Sequence, residues 1–483
     1  MKNAVNDVTT AKETNRTDLV KTVTRSEWKI DPGAEAIIGE LEKHGHEAYL
    51  VGGCVRDLCL GRTPQDWDIA TSALPEYVQQ IFPRTVATGL RHGTVTVLLE
   101  SAQGLKHYEV TTYRMDGEYL DGRRPVQVTF GVSLEEDLRR RDFTINAMAF
   151  NPRTGLKDFF GGREDLHDKL IRAVGDPEQR FAEDALRMLR AVRFASQLGY
   201  DIARGTEQAI VVKSHLLARI SKERIRDELM KILLSVHPAK IRDLSRLGLM
   251  KYIIPELELG IGFEQQNRHH DKTVYDHTIV VIENTPPDPA LRLAALFHDI
   301  GKPVSFSVDK HGEGHFYGHQ MVGEKMTREI MERLKFDRAT IQKVCILVRY
   351  HMTRFERLNE KGVKKLINRV GRENLNQLFI LQIADILGSR SPQDEDFRGI
   401  MDLQLKIEKI LNEKQPLTVK DLAINGDELI ALGMKPGVKL GQTLKWLLEK
   451  VWEDPSLNTK EKLIQEVKKR YRLKSEQKPG ENI

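Results

Sequence analysis

Apolar positions change their period along the chain. Residues 34–43 (AEAIIGELEK) place apolar side chains three and four apart, the repeat of a helix with one buried face, and the AYLVGG that follows predicts a buried strand ending in a glycine turn. DWDIAT, GTVTVLLE and HYEVTTYR each mix β-branched and apolar residues over strand lengths, separated by Gly, Pro or charge. Beyond Asp142 the three-and-four spacing takes over, as in EDALRMLRAVRFASQLG and SKERIRDELMKILLS, and the remainder reads as almost wholly helical. The expected class is α+β: a small N-terminal mixed sheet followed by an elongated all-α region.

Breaks in the pattern suggest domains. Residues before about Ser26 are polar and aperiodic, and prolines near 255, 286–289 and 416 punctuate the helical part. The expected division is a disordered tail (1–28), a sheet-bearing head (29–172), a helical neck (173–255), a second helical domain (256–412), a helical tail (413–473) and a disordered end (474–483). In the tail, Asp421 and Asp427 are expected helix caps, with turns at Gly433 and Pro436-Gly437. A length of 483 residues suits about three compact units, at roughly 150 residues each.

Composition narrows the class. A net charge of +5 is mild, but Arg139-Arg140-Arg141 and Lys468-Lys469-Arg470 concentrate positive charge where a phosphate backbone could be held. The three cysteines are too few for a disulfide framework and form no CxxC pair. With neither the apolar core of a signal peptide nor an 18-residue apolar run, the chain reads as a cytoplasmic protein without a membrane partner, and no obligate protein partner is evident.

The chemistry begins in GGCVRDLCLGRTPQDWDIAT. If DWDI is a strand, period two turns Asp66 and Asp68 to one face, where mutual repulsion is relieved by a divalent cation, Mg2+ in this reading. Gly52 and Gly53 let backbone N–H groups approach phosphate oxygens, Arg56 adds a forked donor, and Glu109 on a neighbouring strand is the candidate third carboxylate. A second constellation holds His277, His298-Asp299, His319, His351 and Asp385. His277, His298, Asp299 and Asp385 make a workable ligand set for a divalent transition metal, and the two further histidines leave a second metal open.

Four segments in order, GGCVRDLCLGR…DWDIAT, RRDFTINAMAF, DFFGGREDL and EDALRMLRAVRFA, resemble the metal, ribose, hinge and base-selecting motifs of the tRNA nucleotidyltransferase and bacterial poly(A) polymerase family, the class II branch of the polymerase-β-like superfamily. The resemblance covers about Tyr49 to Arg246. It implies a polymerase-β-like head, two-metal nucleotidyl transfer with Asp66, Asp68 and Glu109 catalytic, and tRNA, CTP and ATP as partners. It also implies that Arg141 and Asp142 contact the ribose. Asp184 and Arg187 would read the base edge, with Arg190 and Arg193 continuing their helical stripe. The segment from Arg114 to Thr129 resembles the family's flexible loop, expected in members that add the terminal A, and TGLRHGTVTVLL departs from the poly(A) polymerase pattern. FHDIGKP resembles the HD phosphohydrolase superfamily over about Asp276 to Asp385, implying phosphatase or cyclic phosphodiesterase chemistry for tRNA end repair, and the tail resembles the family's RNA-binding end. CCA addition is the expected function. Addition of A alone to tRNA ending in CC, poly(A) synthesis, and an HD phosphohydrolase carrying a nucleotide-binding module are the alternatives.

Overall fold

The structure, a computed structural model, describes residues 28–101, 104–117, 127–265, 272–353, 358–389 and 394–471. Contacts divide the chain into two compact units, Met1–Ile253 and Ile254–Ile483. The tail expected over 1–28 lies outside the described residues apart from Trp28, as does the whole of 474–483.

In the first unit, Asp31 caps helix Pro32–Lys43 through the backbone N–H groups of Gly33 and Ala34, and the helix buries Ala34, Ile37, Ile38 and Leu41. The strands are β1 (Ala48–Val51), β2 (Ile69–Thr71), β3 (Thr85–Gly89), β4 (Thr94–Ser101), β5 (Gly104–Thr112), β6 (Arg114–Asp116), β7 (Val128–Phe130), β8 (Met148–Asn151) and β9 (Gly155–Asp158), with a two-residue parallel pair, Leu170–Ile171 and Asp201–Ile202, farther along. Seven of them form one mixed sheet in the order β3-β4-β5-β2-β1-β8-β9, while β6 and β7 pair as a separate antiparallel stem. The parallel pairing of β2 with β5 sets Ile69 beside Val110, so Asp68 and Glu109 each stand one residue before that register.

Three expectations need correcting. The sheet does not stop at Asp142. Strands β8 and β9 lie beyond it, and β8 is buried along its whole length, so its apolar run lacks the alternation by which a half-buried strand is recognised. The strand in DWDIAT starts only at Ile69, leaving Asp66 in a bend and Asp68 in the extended approach. EDALRMLR is not one helix: Pro177–Glu183 and Leu186–Leu198 are separated at Asp184, whose backbone is extended (φ −141°, ψ 103°). Helix Lys222–Leu233 packs on Leu186–Leu198.

The second unit is helical apart from the two-residue strands Ser307–Val308 and Gly314–His315. Helices Val274–Glu283, Pro289–Phe297, His319–Arg333, Arg338–Tyr350 and Leu375–Gly388 pack together. Towards the tail, Leu429, Leu447, Leu463 and Val467 form a small apolar core of their own. Its caps differ from expectation. Asn425, not Asp427, caps helix Gly426–Ala431, and Asp421 serves as the reciprocal member of a capping box headed by Thr418. Short polar helix starts offer several capping candidates within two or three residues, and backbone geometry chooses among them.

Candidate functional site

A cavity of about 1040 Å³ opens in the first unit, floored by the β1–helix turn and walled by arginines. Gly52 starts its floor at φ +76°, a conformation that favours glycine, and a Cβ there would press on Arg141 Nη1 at 3.0 Å. Asp66 and Asp68 line the same cavity. Burial raises the Asp68 pKa, and the charges of Glu109 and Asp66 add to that effect against the opposing pull of Arg141. Glu109 is exposed and acts on Asp68 through space rather than lining the cavity. Among the described residues, no three carboxylates here converge within 4.8 Å. Hard oxygen donors around a carboxylate that burial and its neighbours push towards protonation fit a divalent cation, whose charge would restore the ionised form. Beneath them the Cys54 thiol is pushed up to about 12 by burial and is inert.

The arginine wall is braced from behind. Arg56 donates to Asn146 Oδ1 at 2.9 Å and to Asp57, and buried Asp137 accepts from Arg140 at 2.8 Å and Arg141 at 3.3 Å. Phe194 lies under the guanidinium groups of Arg56, Arg190 and Arg193, at 5.5, 5.7 and 4.1 Å from its ring centre. Its π face therefore adds to the carboxylates Asp57, Asp142 and Glu228 in stabilising a cluster of like charges. Asp142 accepts from Arg190 Nε at 2.7 Å and from the Phe143 N–H. Burial resists its ionisation, but Arg190 overrides this and holds the carboxyl below the usual carboxylate range. A depressed carboxylate stabilises the fold above its unfolded pKa, near 4, and the contribution is lost as pH falls through the folded value. Asp142→Asn is therefore expected to cost ~2 kcal/mol at pH 7. Thermal unfolding followed from pH 7 to pH 3 should show the two proteins converging, and a constant gap would contradict the assignment.

Asp184, Arg187, Arg190 and Arg193 all line the cavity, as the sequence suggests, but not as one helical stripe. Arg187, Arg190 and Arg193 share a face of Leu186–Leu198, whereas Asp184 precedes that helix and accepts from its Leu186 N–H at 3.0 Å. Nor do Asp184 and Arg187 pair with each other. Arg187 binds Glu183 at 2.7 Å and the carbonyls of Arg180 and Arg140, and Asp184 accepts from Arg224 at 2.9 Å. Arg224, Asn146 and Asp137 are site residues the sequence reading missed. For Asn146 and Asp137, proximity to the RRD segment was the available signal. The β6–β7 stem brings Arg114 and Asp116 to the cavity, while 118–126 in the expected loop lie outside the described residues.

In the second unit His277, His298, His319 and His351 converge on two carboxylates, Asp299 and Asp385. His277, His298 and Asp385 form one potential ligand group, and Asp299, His319 and His351 form another. Asp299 joins them: its Oδ2 lies 3.2 Å from His298 Nε2 and its Oδ1 3.5 Å from His319 Nε2. Each ring is oriented from outside. Nδ1 of His277, His298, His319 and His351 lies 3.2, 2.8, 2.8 and 2.7 Å from the carbonyls of Gly388, Ala295, Phe316 and Val348. Carbonyls only accept, so Nδ1 carries the proton and every Nε2 lone pair in a neutral ring points inward. Those nitrogens face one another at 3.3 Å (His277–His298) and 3.4 Å (His319–His351), a repulsive arrangement that bound cations would convert into ligation. Burial pushes His319 down to about 4. Burial also opposes charge on His298, but Asp299 and Asp385 outweigh it and raise that pKa. Asp276, by contrast, accepts from Thr273 at the helix start.

The mixed sheet with paired aspartates and an arginine-walled cleft defines a nucleotidyltransferase head. Models of the poly A polymerase head domain, of the probable RNA and SrmB-binding site of polymerase A, and of the HD domain match residues 48–172, 199–260 and 278–389. The chain is 36% identical to the CCA-adding enzyme of Lactobacillus helveticus (strain DPC 4571) over 431 residues, 86% of this chain and 92% of that one. It therefore belongs to the CCA-adding enzyme family, within the tRNA nucleotidyltransferase and poly(A) polymerase group. To the CCA-adding enzyme of Geobacillus thermodenitrificans (strain NG80-2) it is 52% identical over 228 residues, 47% of this chain and 55% of that one. That match, like the one to the Geobacillus stearothermophilus enzyme, spans about half the relative's length. The solved Bacillus stearothermophilus CCA-adding enzyme in complex with CTP is similar at TM-score 0.69 and 31% identity, over 92% of this chain and all of that one. No helix among the described residues is long and apolar enough to cross a membrane.

Proposed function

We propose that the protein adds CCA to the 3′ end of tRNA from CTP and ATP without a nucleic-acid template. The observation that carries this reading is the single cavity in which paired aspartates, the RRD segment and Asp184 with Arg187 meet. Gly52 and Gly53 bring backbone close to the triphosphate, with Arg56 and Arg141 beside it. Asp142, fixed by Arg190, accepts from the ribose 2′-hydroxyl. Asp184 accepts from the exocyclic amine of C or A and Arg187 donates to the adjacent ring acceptor, whereas U and G present a carbonyl to Asp184 and leave two acceptors opposed. Mg2+ held by Asp66 and Asp68, with Glu109 nearby, would supply charge neutralisation at the triphosphate and a more acidic attacking hydroxyl.

The decisive experiment offers tRNA lacking its end to the protein with CTP and ATP, separately and together. CTP alone should add two C residues and both nucleotides should complete CCA. No incorporation from CTP, with extension of tRNA ending in CC, would identify an A-adding enzyme instead. Shortening residues 118–126 should stall the product at CC, because C entry does not need a reshaped pocket, and A addition at the normal rate would refute that role for the loop.

For the second unit we infer a phosphohydrolase acting on tRNA ends, supported by the inward-facing imidazoles. One or two divalent transition-metal ions held by the His277–His298–Asp385 and Asp299–His319–His351 groups would supply an activated water. A cytoplasmic location is inferred alongside, supported by three free cysteines. The tail's Lys468-Lys469-Arg470 run is assigned to phosphate contact with tRNA.

A further inference from the structure

We propose that Arg224 is a positioning residue for nucleotide selection. It sets the carboxylate of Asp184, and through it the preference for an exocyclic amine over a carbonyl. The inference rests on the reading of Asp184 given above. Arg224 projects from helix Lys222–Leu233, inside the stretch that resembles an RNA-binding site, yet it lines the nucleotide cavity.

Asp184 needs such a support because of where the chain places it. It stands at the break between two helices in extended backbone, so no helical turn restrains its side chain. Two contacts fix it instead. Oδ1 accepts from the Leu186 N–H at 3.0 Å and Oδ2 accepts from Arg224 Nη2 at 2.9 Å. With only the first, the carboxylate would still pivot about one bond and follow whichever edge a base presents. With both, its plane and its remaining lone pairs are set before the nucleotide arrives, which is the condition for rejecting a carbonyl. Arg224 Nη2–Asp184 Oδ2 is the ion pair made by Arg224, and its Nη1 is buried with no hydrogen-bond partner among the described residues. An arginine retained in that state beside a selecting carboxylate has a donor left for the occupied pocket.

The same helix is tied to a second part of the cavity wall. Glu228, one turn beyond Arg224, is buried and its Oε2 lies 2.7 Å from Arg193 Nε. Helix Lys222–Leu233 is thus tied both to the carboxylate that selects the base and to the helix that carries Arg187.

The test compares wild type, Arg224→Gln, Arg224→Lys, Asp184→Ala and the Asp184→Ala/Arg224→Gln double variant on tRNA lacking its end. The readout is the ratio of kcat/KM for CTP to that for UTP, with thermal unfolding of each protein recorded alongside. Arg224→Gln should lower the ratio roughly tenfold, the scale of one mispositioned hydrogen-bonding group. Arg224→Lys should recover part of the loss, since a point charge still reaches Oδ2 but without the fixed fork. In the Asp184→Ala background, Arg224→Gln should change the ratio no further, because its action runs through that carboxylate. An unchanged ratio in Arg224→Gln, with rates for all nucleotides falling together, would overturn the proposal and reduce Arg224 to a structural contact. An additive effect in the double variant would overturn it too. Should Asp184→Ala itself leave the ratio unchanged, the base-selecting role of Asp184 fails and the proposal fails with it, a result distinguishable from the other two.

Discussion

Asp68→Ala should abolish nucleotide addition, with a fall of at least about 10³-fold, the scale on which losing a preorganised charge-stabilising group is felt. Burial raises the Asp68 pKa, with Glu109 adding to the effect, so positive charge placed beside it would favour its anionic form. Removing it deletes that anion together with the function. The fold should tolerate the change, since Asp68 precedes β2 rather than lying within it, and the chain pairing there runs through backbone groups such as Val51 N–H to the Asp68 carbonyl. The hydrolysis proposed for the second unit should be unaffected, because its candidate ligand groups belong to a different compact unit. Retained CTP incorporation at more than a few per cent of wild type would sink the assignment of the paired aspartates.

On the phosphohydrolase reading proposed for the second unit, Asp299→Ala should remove its metal and its hydrolysis while nucleotide addition continues. Each of its oxygens faces a different pair of imidazoles, and Lys302, itself buried, also sits 2.7 Å from Oδ2. Losing this carboxylate leaves Lys302 with Gln265 at 2.8 Å, so some destabilisation is expected as well. Asp299→Asn separates the two effects by preserving shape while removing charge. Metal content measured after equilibrating each purified protein with Mn2+, Co2+ or Ni2+ is the direct readout. Wild-type stoichiometry in both variants would show that Asp299 is not a ligand, and activity alone would not decide it.

The residues proposed to react could be singled out in the sequence because such chemistry imposes local spacing. Asp66 and Asp68, Arg141 and Asp142, and His298 and Asp299 are near neighbours in the chain, and each pair reaches its site together. What the sequence hid was support from a distance. Arg224 lies forty residues from Asp184, in a helix whose alternating charges read as a solvated face, and only the packing of Lys222–Leu233 against Leu186–Leu198 turns it inward. Asp184 misled for a related reason. EDALRMLR has continuous helical spacing, but the Asp184 carboxylate accepts from the Leu186 N–H two residues on, a local bond that competes with continuation of the helix. Strands β8 and β9 escaped because they are short and half-bounded by helices, leaving too few positions for a period to show.

The carbonyl tethers on the four imidazoles build the aim of each ring into the backbone of the second unit. Three of the four acceptors, Ala295, Phe316 and Val348, sit three residues before the histidine they hold, so the helices and turns that carry each ring also aim it. A zinc finger gathers its ligands only as the metal binds, and chelation unfolds it. Here each imidazole is also held by a backbone carbonyl, and the helices that carry the rings pack through apolar residues such as Val281, Leu293 and Val344, so a chelator is expected to leave the circular dichroism of the unit unchanged, and unfolding on chelation would show that its fold depends on the metal.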